Sequence, residues 1–98
     1  MIKHDTLENQ VKMIYIGIGS NLGNRIHNIE KAKYFLKLNG VNIIKSSKNY
    51  ETPSWPDKSK PKFINVVIQS DTSFPPKRLL YIFKNIEKKL GRKNGYKN

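Results

Sequence analysis

A chain of 98 residues and 11.4 kDa has room for one domain, which at this size buries about 60–65% of the surface its unfolded form exposes. It has no cysteine, so disulfides, thiolate metal sites and a cysteine nucleophile are excluded, and no apolar run reaches the ~18 residues of a membrane span. The net charge of +12 comes almost wholly from lysine, since Arg25, Arg78 and Arg92 are the only arginines; scattered lysine is a solvated surface, and arginine is the residue that forks onto phosphates and bases, so neither nucleic acid nor a membrane is an expected partner.

Residues 1–12 show no period and lack the apolar middle of a signal peptide, so they read as a flexible N-terminal extension of a cytoplasmic protein. Met13 to Ile18 is short, apolar and branched, the pattern of a buried strand. The loop from Gly19 to Asn24 ends it, and a helix follows over Arg25 to Leu38. Ile26, Ile29, Ala32, Phe35 and Leu36 form its apolar stripe, with Gly40 as C-terminal cap. Val41 to Tyr50 reads as a second strand. Thr52 to Lys62 contains Pro53, Pro56 and Pro61 and is a loop, long enough for a functional role. Phe63 to Ser70 is the third strand, with Ile64, Val66 and Ile68 on one face and Phe63, Asn65, Val67 and Gln69 on the other. A second helix over Pro75 to Leu90 carries Leu79, Ile82, Phe83, Ile86 and Leu90 as its stripe and ends at Gly91. The order β-α-β-β-α is α+β, one strand short of a ferredoxin-like unit.

Candidate chemistry concentrates in two places. Gly17, Gly19 and Gly23 lie between a strand and a helix, as in a phosphate cradle. The dinucleotide fingerprint G-x-G-x-x-G nevertheless requires glycine where Leu22 stands, and no Gly-Lys-Ser/Thr follows. Glycines for a tight turn and close helix packing are the simpler reading. On the third strand, Phe63 and Asn65 project from one face. A ring beside a carboxamide can stack on a flat heterocycle and pair with its edge, and the adjoining loop adds the Thr52 hydroxyl and the Trp55 ring. His4 and His27 are isolated surface histidines, His27 one position after the core-facing Ile26. The acids contain no D-x-D or E-x-x-H pair to hold magnesium.

Ile16-Gly17-Ile18-Gly19-Ser20-Asn21-Leu22-Gly23 resembles the opening signature of the 6-hydroxymethyl-7,8-dihydropterin pyrophosphokinase family. Further matches follow in order: Ser46-Ser47, Tyr50-Glu51-Thr52-Pro53, Pro61-x-Phe63-Ile64-Asn65, Leu79-Leu80, Ile86-Glu87 and Leu90-Gly91-Arg92. The resemblance runs from Met13 to about Asn98. It implies a ferredoxin-like core and transfer of pyrophosphate from ATP to the pterin hydroxymethyl group, releasing AMP, as a step of folate biosynthesis assisted by Mg2+. By position it implies that Thr52 and Asn65 bond the pterin edge, that Phe63 stacks on it, and that Pro53 and Trp55 line the pocket from a loop. It assigns Lys84, Glu87 and Arg92 to the nucleotide, beside the signature loop Gly19, Ser20, Asn21 and Leu22.

Three features depart from the family pattern. Lys84 is not the usual residue at its position, and Ser54-Trp55-Pro56 replaces the commoner P-x-G. The family's D-x-D, which follows Leu-Gly-Arg and holds the magnesium ions, is missing from a chain that stops at Tyr96-Lys97-Asn98. The expectation is a single incomplete domain over 13–98, the N-terminal portion of such an enzyme, with no metal ligands of its own, inactive alone, and with an open edge on its first strand. The alternatives are a basic RNA-binding module of β-α-β-β-α-β type, which Ile14-Tyr15-Ile16 imitates but Asn65 on the third strand opposes, and a non-catalytic pterin-binding remnant.

Overall fold

Strict alternation along one strand organises the molecule. In a computed structural model, which describes residues 11–91, the strand Phe63–Thr72 buries Ile64, Val66, Ile68, Ser70 and Thr72 and turns the intervening residues to the other face. The elements are β1 (Lys12–Ser20), α1 (Arg25–Leu38), β2 (Asn42–Ser46), β3 (Tyr50–Thr52), β4 (Phe63–Thr72) and α2 (Pro76–Lys89). β4 lies at the centre of an antiparallel sheet ordered β1-β4-β2, and β3 pairs with β4 farther along the side that β2 occupies. The fold is α+β and compatible with the expected ferredoxin-like core.

Both helices cover one face of the sheet. Ile29, Ala32 and Leu36 of α1 and Ile82 and Ile86 of α2 are buried against Ile16, Val66 and Ile68 in two adjoining clusters, with Ile18 packed against both. Burial of each isoleucine, leucine or valine side chain among them contributes about 1.5–3 kcal/mol. The side chain of Asn24 caps α1 by accepting from the His27 N–H at 3.1 Å. At the other end Gly40, at φ +89°, lets the Gly40 and Val41 N–H groups bond back to the Lys37 and Leu36 carbonyls.

Three expectations need correction. The strand expected over Val41 to Tyr50 is two strands, because Ser47 interrupts the ladder: its hydroxyl, not a main-chain carbonyl, accepts the Val67 N–H at 2.9 Å. Ile26 joins neither core cluster and is 54% exposed, since the packed stripe of α1 begins one turn later at Ile29. Lys12, assigned to the extension, already pairs with Thr72, and β1 continues through Ser20. Residues 1–10 of that extension lie outside the described residues. β1 pairs with β4 on one side, and among the described residues no strand pairs with the other.

Candidate pterin and nucleotide sites

The register of β4 against its two neighbours assembles the first site. Tyr50 lies across from Asn65 and Thr52 across from Phe63 on one side, and Gly19 lies across from Asn65 on the other. The Asn65 Nδ2 group donates to Thr52 Oγ1 at 2.8 Å and to the Tyr50 carbonyl at 3.3 Å, which fixes the carboxamide plane. Because Thr52 Oγ1 accepts this bond, its own proton points elsewhere. Thr52, Phe63 and Asn65 are all half-buried. The cluster therefore places a hydroxyl donor and an oriented carboxamide beside an aromatic ring on the sheet face away from the helices.

Gly19 belongs to this cluster. A Cβ at position 19 would come within 2.8 Å of Asn65 Oδ1 and 3.4 Å of Phe63 Cδ2, so only glycine lets these side chains settle over β1. This corrects the simpler reading of the glycines. Gly23, at φ +63°, does serve a turn, but Gly19 makes room for the Asn65 and Phe63 side chains rather than for a helix. Sequence reasoning missed Asn28, which holds the signature loop from α1 by donating from Nδ2 to Ser20 Oγ at 3.1 Å and to the Leu22 carbonyl at 2.9 Å. A poor helix former just inside a helix, after a glycine loop, was the available signal.

The loop 53–62 is less closely tied to the cluster. Ser54 is buried at its root, Pro53 is exposed, and Trp55 is 80% exposed. The structure thus joins Thr52, Phe63 and Asn65 but leaves Trp55 in solvent. The Asp57 carboxyl is held below its ordinary pKa by hydrogen bonds from the Ser59 hydroxyl and amide, which close a local turn.

The second site is of another kind. A cavity of about 730 Å³ runs along the helical side of β1, walled by Ile14, Ile16, Ile18, Leu79, Phe83 and Leu90, with the signature loop and Glu87 also in its lining. Among the described residues its lining includes no lysine or arginine. Lys84 is exposed on α2 and does not line it, and Arg92 lies outside the described residues. Of the two described residues assigned to the nucleotide, Glu87 lines the same cavity as the signature loop and Lys84 does not.

Residues 15–98 match the family model described as 7,8-dihydro-6-hydroxymethylpterin-pyrophosphokinase. The chain belongs to this family. It is 35% identical over 88 residues to the 2-amino-4-hydroxy-6-hydroxymethyldihydropteridine pyrophosphokinase of Aquifex aeolicus, an alignment covering 86% of this chain and 52% of that protein. It is 32% identical over 80 residues to the protein of the same name from Porphyromonas gingivalis, covering 82% and 54%. A mitochondrial folate synthesis bifunctional protein of Pisum sativum is 34% identical over 89 residues, covering 91% of this chain and 17% of that one. The chain thus spans about half the length of the two pyrophosphokinases it matches. None of these names points to RNA.

Membership in a pyrophosphokinase family raises the question of magnesium. Among the described residues, no three His, Asp or Glu side chains lie close enough together to hold a metal ion. Glu87 is the one carboxylate that the described residues place in the cavity lining. Magnesium–phosphate sites need one or two carboxylates arranged around the ion, so the described residues do not fit that group. No described helix is long and apolar enough to cross a membrane.

Proposed function

We propose that this chain carries the pterin-recognition part of a pyrophosphokinase acting in folate biosynthesis in the cytoplasm, with residues 13–98 forming one incomplete domain. In the whole reaction the pterin hydroxymethyl oxygen attacks the β-phosphorus of ATP, the bond from that phosphorus to the α–β bridging oxygen breaks, and AMP leaves. The Phe63 ring stacks on the pterin, the Thr52 hydroxyl and Asn65 carboxamide meet its polar edge, and Pro53 and Trp55 border it from the loop. ATP lies toward the signature loop Gly19 to Leu22, with Lys84, Glu87 and Arg92 on its side.

The observation that carries this reading is the Asn65–Thr52 hydrogen bond beside the Phe63 ring, three side chains of the kinds that a flat, edge-polar heterocycle requires. Phosphoryl-type transfer rests on positioning and on neutralising charge with metal ions and cations. No cluster that could hold a metal is present among the described residues, and the sequence holds no D-x-D. The reading therefore expects binding without turnover from these 98 residues alone.

The test uses Trp55, the chain's one tryptophan, as reporter. Titration with 6-hydroxymethylpterin should change its fluorescence saturably, an oligonucleotide should not, and AMP release from ATP should stay at background. A response to oligonucleotide alone would overturn the reading, and AMP release at a rate typical of complete enzymes would overturn its second half.

A further inference from the structure

Arg25 stands where electrostatics does not favour it. It is the first residue of α1, in the turn where unpaired N–H groups present the positive end of the helix dipole, and no acid shares that turn. Its side chain leaves the helix. The Nη1 group donates to the Lys62 carbonyl at 2.8 Å and to Glu51 Oε2 at 3.3 Å. Glu51 is the middle residue of β3 and Lys62 immediately precedes β4, so the two acceptors adjoin Thr52 and Phe63, the residues between which the loop 53–62 departs.

One guanidinium on the helical side of the sheet, where Glu51 lies across from the buried Ile64, therefore ties three elements together behind the pterin cluster. The Arg25–Glu51 pair is partly exposed and by itself contributes little. The Lys62 carbonyl is different, because it is a main-chain acceptor fixed at the start of β4, and a charge-assisted bond to it is of the stronger kind. We infer that Arg25 is a positioning residue for pterin binding: it clamps both roots of the 53–62 loop so that Thr52 and Phe63 keep their spacing. This rests on the reading of Thr52, Phe63 and Asn65 as the pterin pocket.

Three variants of the 98-residue chain test it: Arg25→Ala, Arg25→Lys and Glu51→Gln. Affinity for 6-hydroxymethylpterin and the ligand-free fluorescence anisotropy of Trp55 are measured for each, with thermal unfolding to confirm folding. Arg25→Ala should bind the pterin on the order of tenfold more weakly, the loss expected for one charge-assisted bond, and its Trp55 anisotropy should fall. Arg25→Lys should lie between, because it keeps the charge without the preorganised fork. Glu51→Gln should stay near wild type, since the carbonyl bond persists. A folded Arg25→Ala with wild-type affinity and anisotropy would overturn the inference. If that variant does not fold, wild-type values for Arg25→Lys would overturn it instead. If the wild-type chain binds no pterin, the pocket reading falls, and the anisotropy alone decides whether Arg25 clamps the loop.

Discussion

The two faces of the sheet are built to different degrees of completeness. On the face away from the helices, the Asn65 carboxamide is bonded to Thr52 and Tyr50, Gly19 is shaped to admit it, and the Phe63 ring stands beside it. On the helical side, β1 borders an aliphatic cavity; among the described residues its lining has one carboxylate and no cation, and one edge of β1 is unpaired. The first region has the directional groups that recognition needs. The second has apolar surface and an edge that offers backbone groups to another strand. Within one small sheet, the proposed pterin groups are gathered together, while among the described residues those that would neutralise phosphate charge are not.

That contrast can be broken from either side. The largest effect is expected for Ile86→Ala, which removes a buried side chain shared by α2 and the cavity wall. It should lower stability by about 2–4 kcal/mol in chemical denaturation, yet the folded fraction should bind 6-hydroxymethylpterin with unchanged affinity. A lost pterin response from folded Ile86→Ala would move the site to the cavity. Asn65→Ala should act in the opposite sense, weakening pterin binding by about 1.5–3 kcal/mol, read by Trp55 titration, and leaving a folded chain. Gly19→Ala should cost less, about 1–2 kcal/mol in affinity, because the added methyl must displace the Asn65 carboxamide. If Gly19→Ala binds as wild type does, the close approach of Asn65 to β1 has no part in recognition.

Much of the fold was legible where periodicity is strong. The alternation from Phe63 onward set the two faces of β4 and put Phe63 and Asn65 together, and the α2 stripe packed as expected. The reading failed where a side chain replaces a backbone group or where partners are distant in sequence. Ser47 splits a strand by accepting the Val67 N–H with its hydroxyl, which no hydrophobic pattern encodes. Gly19 looks like a turn and packing glycine in the sequence because its neighbours, Asn65 and Phe63, are distant in sequence and arrive through the β1–β4 register. Arg25 read as an ordinary helix start, since its acceptors lie in β3 and at the loop's end. The assigned nucleotide residues are similarly separated: Lys84 and Glu87 are three apart in sequence, yet Glu87 alone turns toward the cavity.

The most direct test is an NMR titration of isotope-labelled protein with 6-hydroxymethylpterin, following every assigned amide. The account predicts that the largest shifts fall on Gly19, Thr52, Phe63 and Asn65, with Glu87, Leu90 and Gly91 unmoved. Shifts concentrated on Glu87 and the α2 side of the cavity, with Asn65 silent, would contradict it.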